Sequence, residues 1–272
     1  MRHPFCLAAS AALTFVTAAG AEDIDPAALE RLPEVDVVIL GEMHDNPHHH
    51  ENQAKAVAAL VPAALVFEML TAEQAARVTP ENRADAEALG AALQWENSGW
   101  PDFAMYHPIF AAAPEARVYG AALPRDEVRR AVSEGAAAVF GGEASDYGID
   151  VALSSDEQAT REVGQMEAHC NAMPAEMMGG MVEAQRLRDA ALARAARQAL
   201  ADSGGPVVVI TGNGHARTDW GMPRPLSRVA PEAEVLSVGQ FEAAPEGTPP
   251  YDLWVVTDPA ERPDPCAAFR AE

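Results

Sequence analysis

Apolar residues along this chain fall into short β-branched runs separated by longer stretches with helical spacing. Val35–Leu40 (VDVVIL) stops at Gly41 and reads as a buried strand. Asn46 then stands as an N-cap before Pro47, and the segment to Leu60 follows as a helix. Ala64–Met69, Arg117–Leu123 and Val207–Thr211 are further apolar runs bounded by proline or glycine, and two late strands are expected at Glu234–Phe241 and Tyr251–Thr257. Strands alternating with helices predict an α/β fold with a mainly parallel sheet flanked by helices. Residues 71–115 and 126–201 are rich in Ala, Glu and Arg and carry no convincing strand. They read as helical insertions, the second forming a smaller helical subdomain over the strand C-terminal ends, broken at Pro174 and at Gly179-Gly180. One domain is thus expected over residues 22–257, with an extended proline-bearing tail over 258–272.

The first 21 residues have a different pattern. A short basic start, Arg2-His3, leads into an apolar run from Phe5 to Ala19 and then Ala19-Gly20-Ala21 before the polar Glu22-Asp23. That order predicts a cleaved secretory signal over residues 1–21, and the run is too short to span a bilayer. The expected location is periplasmic. In such an oxidising compartment Cys170 and Cys266 can form a disulfide, remain free thiols or ligate a metal, and the pairing is the favoured reading on arithmetic alone.

Hydrophobic residues make up 49% and charged residues 22% of the 272, which supports a substantial core and excludes wholesale disorder. Acidic residues outnumber basic ones 41 to 19, for a net charge of −22, and Lys55 is the only lysine. Such a surface repels phosphate backbones, so nucleic acid is excluded as a partner, as is polybasic anchoring to a membrane.

In a parallel sheet, ligands sit beyond the carboxyl ends of the strands. Two of those ends carry matching Gly-x-x-His turns, Gly41–His44 and Gly212–His215, and a third delivers Glu68 from among apolar neighbours. Glu42, His44, Glu68 and His215 are therefore expected at one edge, as an acid/base constellation or, for His44, Glu68 and His215, as ligands of a divalent ion. Gln185 and Asp189 share a helical face and either support that edge or face solvent. His48-His49-His50 begin a helix, where successive side chains diverge by about 100°, so at most two face the strand end. The segment Trp95–Pro108 holds Trp95, Trp100, Tyr106 and His107, a density that suits a flat apolar ligand and equally a packing cap. His169 opens a stretch of Cys and Met donors whose helical spacing favours a core role. Serine-hydrolase, P-loop and His-Glu-x-x-His motifs do not occur.

Taken in order, VVILGEMHDNPHHHENQ, VFEML, the SGWP segment, EAQRLRD and VITGNGHARTDWGMP resemble the ChaN-like haem-binding uptake family of the Tiki superfamily. The resemblance runs from about Val35 to Pro223. It implies a parallel sheet with a smaller helical domain, haem binding linked to iron acquisition, and a homodimer formed around the ligand. It does not fix the iron ligand; Tyr106, in the matching aromatic segment, stands first, ahead of His107 and His169, and Arg125 and Arg217 can offset the haem propionates locally. The wider superfamily contains metal-dependent hydrolases built on paired Gly-x-x-His turns and a glutamate. The two readings are thus an exported haem-binding protein and a divalent-metal-dependent hydrolase using Glu42, His44, Glu68 and His215.

Overall fold

The computed structural model describes residues 20–264 and 266–267; the expected signal over residues 1–21 lies almost wholly outside them. Seven strands form one sheet: β1 (Glu22–Asp23), β2 (Val37–Glu42), β3 (Ala64–Phe67), β4 (Arg117–Gly120), β5 (Val207–Gly212), β6 (Val235–Phe241) and β7 (Leu253–Val256). Their order is β1-β7-β6-β2-β5-β3-β4 and every pairing is parallel. The expected strands are all present, trimmed or shifted by a few residues at their ends. The two-residue β1, too short to carry a periodic signal, is an addition.

Both faces of the sheet are covered, which is why the strands read as continuous apolar runs rather than alternating ones. Val38, Leu40, Leu65, Phe67, Val208 and Ile210 point to one face, where Phe67 stacks on Phe110 of the Phe103–Ala112 helix and Ala56 and Val57 come from the Pro47–Leu60 helix. Val37, Ile39, Val66, Val207 and Val209 point to the other, against Leu187, Ala190, Ala193 and Ala196 of the 26-residue Met178–Ser203 helix. The outer helices Arg125–Glu134 and Ser155–Ala168 pack on that long helix.

One expectation about breaks needs correction. Gly179-Gly180 lies inside the Met178–Ser203 helix instead of ending one. Gly180 is there for contact: a Cβ on it would come 2.4 Å from the Val132 carbonyl oxygen of the crossing helix. Aromatic residues of the Trp95–Pro108 segment mostly pack inward, with Trp95 against Phe103 and Tyr106.

Residues 258–264 have no regular secondary structure, yet they are tied back to the sheet. Arg262 pairs with Glu242 and, at 2.6 Å, with Asp45, and a Cys170–Cys266 disulfide joins the tail to the end of the Ser155–Ala168 helix. No described helix is long and apolar enough to cross a membrane.

Candidate functional site

The connection leaving β2 runs toward β3 and β4, and the connection leaving β5 runs the opposite way toward β6 and β7. These two neighbours thus form the topological switch point of the sheet, where a crevice opens at the carboxyl ends. His44 follows β2, His215 follows β5 and Glu68 follows β3, so the three groups expected together are together.

They form a line of alternating charge. Glu42 is buried, and its Oε1 accepts from His44 Nδ1 at 2.7 Å and from the Tyr106 hydroxyl at 2.9 Å, while Oε2 accepts from Gln53 Nε2 at 2.7 Å. His50 Nδ1 lies 3.4 Å from the same Oε2. Glu68 Oε2 accepts from the Thr211 hydroxyl at 2.7 Å and the Gly212 amide at 2.8 Å, and its Oε1 lies 3.5 Å from His215 Nε2. His215 Nδ1 meets Asp189 Oδ1 at 2.6 Å, with the Gln185 amide 3.1 Å from the same nitrogen. Gly212 is needed for this arrangement, because a Cβ there would sit 2.8 Å from His44 Nε2.

The charges reinforce one another. Burial opposes protonation of His44, but the Glu42 hydrogen bond and the charges of Glu68 and Glu42 outweigh it and raise its pKa to about 9. Burial likewise opposes ionisation of Glu68, and His215, His44 and the two hydrogen bonds hold it down at about 2. His215 is raised in the same way, against burial, by Glu68 and Asp189. Asp189 itself is pushed up by burial, with His215 and Arg161 offsetting part of the shift. At neutral pH the His44 cation therefore stands beside the Glu68 anion.

A cleft of about 620 Å3 opens over Glu68 and His215, within the roughly 300–1,000 Å3 typical of small-molecule and cofactor sites. Met69, Trp100, Leu123 and Leu192 give it apolar walls, and Arg125, Arg129 and Arg188 line it with positive charge. The His44 ring, one third exposed, packs against Trp100 with centroids 4.7 Å apart. A flat apolar ligand with carboxylates at its edge fits these surroundings. The walls suit its faces and the arginines its acids, and His44 Nε2 stands nearby with Nδ1 held by a carboxylate, the usual support of an imidazole that gives up its Nε2 proton to ligate.

Other expected residues are placed elsewhere. Tyr106 is fully buried beneath His44 with its hydroxyl committed to Glu42, so it supports the line instead of facing the cleft. His107 Nε2 bonds the Arg83 carbonyl and His169 Nδ1 lies 2.7 Å from the Gln165 carbonyl; neither lines the cleft. Arg217 is spent on Asp219, at 2.7 Å, and lies 3.7 Å over the Trp220 ring, so Arg125 faces the cleft without it. The divalent-ion set is also corrected: among the described residues no three His, Cys, Asp or Glu side chains converge as a chelating group.

Further residues, among which the sequence did not single out Gln53 and Arg129, complete the picture. Gln53 and His50 hold Glu42 from the inner face of the Pro47–Leu60 helix, and Arg129 and Arg188 join Arg125 in the cleft. Helical periodicity was the available signal: His49, His50, Gln53, Ala56 and Val57 all lie on one buried stripe.

An all-parallel α/β domain with a cleft over the carboxyl ends of β3 and β5, beside its switch point, and with Glu68 and His215 in the cleft is the class of protein that fold and site define. The family description "Haem-binding uptake, Tiki superfamily, ChaN" matches residues 28–226, and the chain belongs to that family. Among solved structures, ChaN of Campylobacter jejuni, described in a study of cofacial heme binding, superposes with a TM-score of 0.63 at 18% identity, covering 84% of this chain and 89% of that one. At that identity the likeness is one of fold. The type III effector HopBA1 aligns with a TM-score of 0.43 at 17% identity, over 86% of this chain and 92% of that one. No curated protein matches the sequence.

Proposed function

We propose that this protein binds haem in the cleft above β3 and β5 and serves haem uptake or handling outside the cytoplasm. The observation that carries this reading is the cleft itself, with apolar walls at Trp100, Met69 and Leu123 and three arginines, and behind Trp100 an imidazole held by Glu42. Bound haem would supply the iron; His44 would approach it and Arg125, Arg129 and Arg188 would hold the propionates. His215 is the alternative donor from the cleft floor, with its Nδ1 fixed by Asp189. The hydrolase reading is not carried forward, because its metal has no converging ligand set among the described residues.

Hemin titrated into the protein should give a saturable Soret shift. His44→Ala should weaken binding at least tenfold and alter the spectrum, and Arg188→Ala should weaken it several-fold with the spectrum unchanged. A linear, unsaturable absorbance change would sink the proposal, and a spectrum altered by His215→Ala alone would move the iron to the floor of the cleft. Sedimentation of the same samples tests the homodimer that a shared haem would create.

Export is supported by the Arg2–Ala21 pattern and by the Cys170–Cys266 disulfide, a bond at home in an oxidising compartment. Mass spectrometry of the periplasmic fraction should find a chain beginning at Glu22. Recovery of the full-length chain from the cytoplasm alone would overturn this part.

A further inference from the structure

A second cavity lies behind the cleft floor. It measures about 150 Å3 and is lined by Arg161, Arg186, Arg224 and Arg228 together with Tyr147 and Trp220. Four of the chain's 19 basic residues meet here, in a protein whose net charge is −22.

Three of the guanidinium groups are anchored at the wall. Arg186 bonds Glu183 at 2.7 Å and the Val151 carbonyl at 2.6 Å, Arg224 bonds Glu157 at 2.6 Å, and Arg228 bonds the carbonyls of Ser145 and Asp146. Arg161 differs. It is only 5% exposed, its Nη1 reaches Glu157 at a long 3.4 Å, and its Nη2 has no hydrogen-bond partner. Asp189 Oδ2 stands 3.8 Å from that Nη2, too far for a hydrogen bond, and is equally unpartnered, as is the buried Tyr147 hydroxyl. Buried polar atoms are nearly always satisfied, and a buried guanidinium N–H left bare is costly. Here a bare donor, a bare acceptor and a hydroxyl that can act as either border one cavity far larger than a single water needs.

We propose that this cavity is a binding site for a small oxyanion of the phosphate class that retains one protonated oxygen. Its charged oxygens accept from Arg161 Nη2 and from the surrounding arginines, and its O–H donates to Asp189 Oδ2. Both unmet needs of the buried pair are then answered by one ligand, which a fully deprotonated anion or a cation does not do. Because Asp189 also holds His215, the occupied site joins the back of the molecule to the cleft floor through a single carboxylate.

The probe is inorganic phosphate, titrated into the ligand-free protein at pH 7 by calorimetry and by thermal unfolding, with sodium chloride at matched ionic strength as the control. The expected result is saturable 1:1 binding and a rise in melting temperature that chloride does not reproduce. Arg224→Gln, at a half-exposed position where folding is not at stake, should weaken phosphate at least tenfold. Arg130→Gln, an exposed arginine paired with Glu134 outside the cavity, should not. Arg161→Gln should abolish binding, and if that variant does not fold, Arg228→Gln takes its place. Equal effects of phosphate and chloride, or full affinity in Arg224→Gln, would overturn the proposal and leave the cavity to water.

Discussion

His44 and Glu68 sit on opposite sides of one charge pair, and this makes the ligand-free protein sensitive to pH from both directions. Glu68, held at about 2 against its ordinary 4.5, contributes stability that is complete above about pH 4.5 and is lost as pH falls toward 2. His44, raised from 6.5 to about 9, contributes stability that is complete below 6.5 and is lost as pH climbs through 9. His49 works the other way. Burial lowers its pKa from 6.5 to about 4, so the unfolded chain takes up a proton there that the folded one refuses, and stability falls between 6.5 and 4. Urea midpoints measured across pH should therefore peak near 6.5, and His44→Ala should flatten the alkaline limb and, because His44 helps hold Glu68 down, make the acid limb shallower as well. An unchanged alkaline limb would assign it to His215 alone. Tyr106→Phe removes a buried hydroxyl that donates to a carboxylate and should cost about 1–3 kcal/mol. It should leave the Soret maximum of a hemin complex where it was, since the ring faces away from the cleft.

Among the secondary-structure elements, the two adjacent glycines of the long helix make a paired prediction. Gly180→Ala forces a Cβ onto the Val132 backbone of the crossing helix and should destabilise by about 1–3 kcal/mol. Gly179→Ala meets the Glu162 carboxylate at 3.2 Å and the Gln158 amide at 3.7 Å, both movable ends of side chains, and should stay within about 1 kcal/mol of the parent in chemical denaturation. The same pair marks where sequence reasoning stops. Gly-Gly is written identically whether it ends a helix or lets another helix approach, and only the crossing partner decides. Local signals fared better: Asn46 accepts from the His48 amide and Pro47 opens the helix, as their positions imply. Strand ends, too, were legible as the place for Glu42, His44, Glu68 and His215. Their partners were less so. Tyr106 lies 64 residues from Glu42, and its aromatic neighbours suit a ligand wall as well as a core, so nothing in the string shows that its hydroxyl turns inward.

For the whole molecule, the Cys170–Cys266 bond closes a loop across a separation of 96 residues, worth on the order of 4–5 kcal/mol in the chain-entropy picture. Reduction, or Cys170→Ser, should lower the unfolding midpoint accordingly, and a midpoint indifferent to reductant would show that the tail is held by Arg262 and its acidic partners instead. The parallel sheet and its two helical layers were readable from composition and rhythm. The arginine cavity was not, because its members come from four separate stretches and meet only when the Ser155–Ala168 and Met178–Ser203 helices pack.

That disulfide also changes what a cut in the chain can do. Residues 170 to 266 form a covalent ring containing the long helix and strands β5, β6 and β7. A protease that nicks any one bond inside the ring opens a circle without freeing a fragment. The clipped protein keeps every strand of its sheet attached and migrates as one species until a thiol is added. In a compartment rich in proteases and poor in thiols, a single internal scission is then survivable.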